Sequence, residues 1–258
     1  MTSLLPRLGP MTVATFVLAF GLSPAAGRAA EPAILAKARA YLGPEALLDG
    51  VNSIHFFGTL TAADPADAAK TTRIAIEVVF QKPDRQRIVK TSETAIEVTA
   101  LDGYDAWQRV QSVSDPAKWR QSLLGSEQIK RLRANAWESL FFFRGLERQG
   151  GRIEDLGPVT VDGVAYRKVA FIHAPNIIFY RYFDPATGHL VYTETESGEI
   201  QREQGEILAG GLRFPKSVKI ISKNATGQPQ TVTIDFEKII LNEILPGSLF
   251  QVPPVSTK

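Results

Sequence analysis

The stretch Thr231-Val232-Thr233-Ile234-Asp235-Phe236-Glu237-Lys238-Ile239-Ile240 decides the fold. Val232, Ile234, Phe236, Lys238 and Ile240 alternate with Thr231, Thr233, Asp235, Glu237 and Ile239. A period of two places one face of a strand in a dry interior and the other in water. Ile74, Ile76, Val78 and Phe80 alternate in the same way with Arg73, Ala75, Glu77 and Val79, and Ile96, Val98 and Ala100 with Glu97 and Thr99. Working outward, further strands are expected at Ser53–Leu60, Asp84–Thr91, Ala106–Ser112, Ala165–His173, Ile177–Phe183, His189–Glu196, Glu199–Glu206 and Arg213–Ser222. Turn chemistry separates them: Lys82-Pro83-Asp84, Asp102-Gly103, Asp162-Gly163, Asp184-Pro185-Ala186-Thr187-Gly188, Ser197-Gly198 and Gly210-Gly211. About eleven strands with such short connections form an antiparallel meander, because parallel strands require long crossovers.

Two segments carry helical spacing instead. Between Pro32 and Leu48, Ile34, Leu35, Ala38, Tyr41 and Leu42 fall on one face, with an interruption at Gly43-Pro44. Between Ser126 and Arg148, Ile129, Leu132, Trp137, Leu140, Phe141 and Leu146 recur at three- and four-residue steps. Ser126 is placed to cap this helix and Gly150-Gly151 to end it. Three consecutive aromatics, Phe141-Phe142-Phe143, cannot share one narrow stripe, so at least one must face something beyond the main packing surface.

The first residues have a different character. Arg7 is followed by an apolar run from Met11 to Leu22 and then by small residues up to Ala30. That order is a secretory signal, cleaved after Ala29 or, alternatively, after Ala26. The apolar run is shorter than the roughly 20 residues a spanning helix requires. The expected organisation is a signal peptide over 1–29 and one domain over 30–258, exported to the periplasm.

There is no cysteine among the 258 residues, so disulfides, thiolate metal sites and lipid attachment to cysteine are excluded. Both methionines lie within the signal. Processing removes Arg7 and Arg28 and no acid, which leaves basic and acidic residues equal in number and gives no sign of a nucleic-acid partner.

Catalytic constellations are thin. His55, His173 and His189 are not at metal-ligand spacing, and no nucleophile elbow, phosphate loop or dinucleotide fingerprint is present. Asn224-Ala225-Thr226 matches a glycosylation acceptor and is read as a turn. Glu194, Glu196, Glu199, Glu203 and Glu206, with Arg202, read as the solvated face of a sheet edge. Lys82, Arg85, Arg87 and Lys90 read as a wet strand face, the alternative being a lipid-phosphate or partner contact. An enzymatic alternative would need His173 or His189 beside a carboxylate in a polar cleft. No residue is assigned a catalytic, metal or cofactor role, and no enzyme is expected.

The apolar surface is more informative. Eleven strands present more dry face than one small helix covers. Two solutions exist: a flat sandwich, or a curved sheet with helices over its concave face. In the second, the interior need not be filled by side chains. An acyl chain of about 15 methylenes at ~0.8 kcal/mol each supplies ~12 kcal/mol of gross driving force before the costs of binding.

Four segments recur in order: Leu101-Asp102-Gly103-Tyr104-Asp105-Ala106-Trp107, Arg181-Tyr182-Phe183-Asp184-Pro185-Ala186-Thr187-Gly188-His189-Leu190-Val191, Gly211-Leu212-Arg213-Phe214-Pro215 and Leu245-Pro246-Gly247-Ser248-Leu249-Phe250. Over approximately residues 40 to 252 the chain resembles the outer-membrane lipoprotein-sorting (LolA-like) periplasmic proteins. The resemblance implies an α+β fold, a strongly curved antiparallel sheet forming an open half-barrel, with helices covering the concave face. It implies a carrier or binding protein for lipid or lipoprotein acyl chains, with a non-catalytic cavity under a helical lid. Some relatives are envelope-stress regulators, which implies as the alternative a sensor module that binds a membrane-anchored regulator. The implied partners are a lipid or lipoprotein acyl chain and an inner- or outer-membrane protein, with the carrier a monomer. The candidate cavity residues are Ile76, Val78, Phe80, Ile96, Val98, Trp107, Leu132, Trp137, Leu140, Phe141, Phe142, Tyr180, Tyr182, Ile234 and Phe236. The resemblance further implies a buried arginine that helps set open and closed states, for which Arg87 is the candidate.

Overall fold

The computed structural model describes residues 31–63, 71–223 and 227–254. The expected signal segment and the Asn224-Ala225-Thr226 turn lie outside the described residues. Two helices open the chain, α1 (Ala33–Leu42) and α2 (Glu45–Asp49), split at Gly43-Pro44 as the sequence predicts. Strands β1 (Ser53–Ala63), β2 (Thr71–Gln81), β3 (Arg85–Thr91), β4 (Ala95–Asp102), β5 (Asp105–Ser112) and β6 (Trp119–Leu123) follow. Helix α3 (Ser126–Leu140) precedes β7 (Arg152–Val161), β8 (Val164–Ala174), β9 (Ile177–Phe183), β10 (Leu190–Thr195), β11 (Ile200–Ala209), β12 (Leu212–Lys223) and β13 (Pro229–Leu241).

All thirteen strands belong to one open, curved antiparallel sheet in the order β6-β5-β4-β3-β2-β1-β13-β12-β11-β10-β9-β8-β7. The chain starts at the middle of the sheet and meanders out to one edge at β6. It then crosses to the opposite edge at β7 and meanders back until β13 pairs with β1. Because β6 and β7 lie at opposite edges, the connection between them must span the sheet. Helix α3 lies in that connection and packs against β2, β3 and β4, while α1 packs against β12.

The strand count exceeds the expected eleven by the two edge strands, β6 and β7. Neither shows the unbroken alternation that marks an interior strand: β6 is mostly exposed, and the alternation of β7 is interrupted at a bulge beside Gly157-Pro158. Proline is tolerated there because an edge strand leaves one row of amides unpaired.

Two apolar clusters lie between helices and sheet. One joins Ile34, Leu35, Trp137, Phe143, Phe171 and Phe183. The other joins Leu48, Ile54, Phe80, Leu140, Phe142 and Leu212. At the central seam a bulge falls between Phe57 and Gly58. A Cβ on Gly58 would sit 2.2 Å from the Asp235 carbonyl oxygen, so only glycine lets β13 approach.

Helix α3 begins one residue earlier in capping terms than expected. Gly125 is the cap position and Ser126 the first helical residue, and the Gly125 amide donates to Gln128 Oε1 at 3.1 Å. The helix stops at Leu140 rather than continuing to Arg148, and a short 3-10 turn at Leu146–Gln149 completes the segment.

The segment after β13 straps the opposite, convex face. Phe250 is fully buried there, and Trp107 donates its indole N–H to the Phe250 carbonyl at 2.9 Å. Gln121 reaches the Pro253 carbonyl at 3.2 Å, and the His55 ring lies 2.6 Å from Glu243.

A cavity with an apolar wall and a polar end

Register determines which side chains meet, since residues directly opposite in a ladder share a face. Val78 on β2 opposes Phe56 on β1 and Ile88 on β3. Val218 on β12 opposes Ile234 on β13 and Glu203 on β11. Thr193 on β10 opposes Arg181 on β9 and Gln201 on β11. These rows line one cavity of about 390 Å³, closed from above by Asn135, Glu138, Ser139, Phe142 and Phe143 of α3 and its C-terminal end. Its volume falls within the roughly 300–1,000 Å³ of small-molecule pockets.

The wall changes character across the sheet. From β3 to β12 it is Ile88, Val78, Phe80, Phe56, Phe236, Ile234, Phe214, Pro215, Val218 and Ile220, with Gln86 and, at the mouth, Arg213 the polar members. From β11 to β9 it is Gln201, Glu203, Glu206, Thr193 and Arg181, beside Leu190 and Phe179. The cavity therefore has an apolar wall under β1–β3, β12 and β13, and a polar end under β9–β11.

The polar end is organised by a buried charge cluster. The Arg181 guanidinium pairs with Glu138 Oε2, a close ion pair rather than an aligned hydrogen bond, and Glu138 Oε1 lies 2.6 Å from His173 Nε2. Arg181 also lies over the Phe143 ring at 4.8 Å and the Phe171 ring at 5.2 Å. The cluster joins α3 to β8 and β9. His173 itself sits edge-on to Trp137 and Phe179, beneath α3 and outside the cavity wall. Of the sequence condition for an enzymatic alternative, a histidine beside a carboxylate in a polar cleft, His173 meets only the first half: it lies beside Glu138 but between aromatic rings, outside the cavity wall. The adjacent Ser139 hydroxyl donates to the Asn135 carbonyl at 2.9 Å instead of to the ring.

Glu203 differs from Glu138. It is half-buried and makes no hydrogen bond or ion pair with any described residue; partial removal from water pushes its carboxyl up to about 7, with Arg181 pulling the other way. The surface it retains faces the cavity. At the mouth, the Tyr41 hydroxyl of α1 bonds Glu206, and Arg213 donates to the Tyr41 carbonyl at 2.6 Å and pairs with Glu206 at 3.5 Å. Burial beside Glu206 pushes the Tyr41 phenol up to about 12. Gly188 abuts α1 so closely that a Cβ would meet the Lys37 carbonyl carbon at 2.6 Å.

Five of the fifteen expected residues line this cavity: Val78, Phe80, Phe142, Ile234 and Phe236. Ile76 shares their face of β2 but lies outside the wall. Trp137 and Leu140 are buried beneath α3, and Phe141 packs against both clusters. Leu132 is half-buried farther along the helix.

The remaining five fall on the convex face. Ile96 and Val98 oppose Thr91 and Val89, which are out of phase with Ile88. Trp107 opposes Ala100 and holds the C-terminal strap. Tyr180 and Tyr182 alternate with Arg181, and Tyr182 stacks on Tyr192 at 4.0 Å beside Tyr166.

Arg87 opposes Val79 and Ala100, also on the convex face, where burial lowers its pKa. The arginine buried under the helices is Arg181. The glutamates expected at a solvated sheet edge are not at an edge, because β11 lies between β10 and β12. They also point in different directions: Glu194 accepts from the Tyr182 hydroxyl, Glu196 pairs with Arg131, and Glu203 enters the cavity. The sequence places Glu203 on a solvated face and gives Arg181 no role, because a charged residue within a strand reads as wet. The available signal was Phe179-Tyr180-Arg181-Tyr182-Phe183, where Arg181 shares its face with two phenylalanines.

An open half-barrel whose helices roof an amphipathic cavity defines the architectural class. No family model matches the chain, and no curated protein matches it. Among solved structures, it is similar to a LolA superfamily protein from Nitrosomonas europaea at 13% identity and TM-score 0.54, covering 85% of this chain and 96% of that one. A DUF1329 family protein from Desulfovibrio piger matches at 10% identity and TM-score 0.54, with the same coverage of 85% and 96%. A domain assigned to outer membrane lipoprotein sorting, from Vibrio parahaemolyticus, matches at 9% identity and TM-score 0.53, covering 84% and 95%. The chain shares the fold of these three proteins.

Proposed function

We propose that this is an exported, periplasmic, non-catalytic carrier or binding protein that holds the acyl chain of a lipid or lipoprotein beneath α3. The observation that carries the reading is the arrangement of the cavity: a nearly continuous apolar wall from β3 to β12 ending in a polar group of side chains on β9–β11. Such a wall suits a hydrocarbon tail, and such an end suits the polar group attached to it. The likeness in fold to a domain assigned to lipoprotein sorting supports the same reading. In it, α3 is the lid, the Arg181–Glu138 pair fastens the lid to the sheet, and His173 completes that fastening. The carrier works as a monomer and meets a membrane protein when it loads or unloads.

The test is titration with an uncharged fluorescent acyl probe. The reading predicts saturable binding of one probe per chain, displaced by unlabelled acyl lipid. Absence of saturable binding contradicts it.

A further inference from the structure

The polar end of the cavity distinguishes among acyl ligands, and this inference rests on the acyl-binding reading above. Its cations face carboxylates of the protein: Arg181 pairs with Glu138 through its terminal nitrogen, its Nε–H being buried off the cavity surface without a partner, and Arg213 at the mouth pairs with Glu206. His189 lies against the Tyr41 ring at 4.8 Å. Glu203 is different, because it faces the same space with no donor from any described residue. Glu203 is half-buried and flanked by Val218, and its carboxylate faces the cavity without a protein donor, so a ligand that displaces water from the cavity has to supply one.

We propose that Glu203 is the acceptor for the polar end of the ligand, so that the cavity selects acyl lipids whose polar end donates a hydrogen bond and carries no negative charge. A monoacylglycerol is the simplest member of that class. A free fatty acid is disfavoured, because its carboxylate would share a low-dielectric site with Glu203 and one of the two would have to take up a proton. The raised pKa of Glu203, about 7, agrees with the missing partner. At pH 8 the carboxylate form predominates and the discrimination is strongest.

The experiment compares 1-monomyristoylglycerol with myristate, matched in chain length, by calorimetric titration at pH 8 against wild type, Glu203→Leu and Glu203→Gln. Wild type is expected to bind the monoester at least about ten-fold more tightly, a difference of ~1.4 kcal/mol. Glu203→Leu should abolish that preference. Glu203→Gln keeps an acceptor without the charge, so it should hold the monoester within a few-fold of wild type and gain myristate. Equal affinities in wild type, or a preference that survives Glu203→Leu, overturns the inference while leaving the acyl cavity standing. Failure of both ligands to bind wild type overturns the acyl reading itself. Thermal melts of each variant establish that the fold is retained, which the lack of any protein partner for Glu203 predicts.

Discussion

Phe142 and Phe143 are consecutive residues with φ of 49° and 69°, and their rings enter different apolar clusters. Phe143 meets Phe183 edge-on at 5.3 Å, while Phe142 joins Leu140 and Phe80. Left-handed backbone costs a residue with a Cβ roughly 1–2 kcal/mol. Here it is compensated by burying two aromatic rings where α3 ends, and it swings both rings into the cavity roof.

Phe142→Asp places a carboxylate in that roof. It is expected to abolish binding of an uncharged fluorescent acyl probe while unfolding stays cooperative, at a lower melting temperature. Probe titration and circular dichroism on the same sample check both. Undiminished binding would remove Phe142 from the ligand's surroundings.

Arg181→Met leaves Glu138 buried without its cation. The expected loss of stability is about 3–5 kcal/mol, the usual consequence of breaking one side of a buried pair. Arg181→Met combined with Glu138→Leu removes both charges and should recover most of that loss. Urea unfolding of the two singles and the double gives the coupling, and additive losses would show that the pair does not fasten α3 to the sheet.

Glu203 is protonated more readily in the folded chain than in the unfolded one, since burial raises its pKa from 4.5 to about 7. Below pH 4.5 both states carry the proton and the residue is neutral in its effect. As pH rises toward 7 the unfolded chain releases it first, so folding loses stability, by at most about 3 kcal/mol. Glu203→Gln should therefore equal wild type in stability near pH 4.5 and exceed it at pH 8. Parallel differences at both pH values would contradict the assignment.

Phe250→Ala tests the division between the two faces. Phe250 is fully buried on the convex side, against Trp107 and far from the roof. The change should cost about 3–5 kcal/mol and leave acyl-probe affinity within two- to three-fold. A large loss of affinity in the folded variant would show that the strap contributes to the cavity.

How much of this was legible beforehand depended on whether the signal was local. The alternation at Ile74–Phe80 and Thr231–Ile240 is a property of one strand, and those strands stand where it places them. Assigning a face across strands requires register, and register depends on turns and bulges that periodicity does not encode. Ile96, Val98, Tyr180 and Tyr182 are apolar or aromatic on regular strands yet face away from Val78 and Phe80 for that reason. Trp107 read as an anchor, but its partner Phe250 is 143 residues away and no local pattern links them. The edge strands β6 and β7 were silent because neither buries a continuous face. Arg181 and Glu203 were hidden by their charge, since burial among aromatic rings becomes visible once β9, β10 and β11 are paired.

Native mass spectrometry of the protein purified from an envelope fraction tests the central claim most directly. The expected species is heavier than the bare chain by one acyl lipid, with the lipid recovered on organic extraction and lost in Phe142→Asp. A protein that carries only its own mass, and takes up no lipid when incubated with extracted envelope lipids, would contradict it.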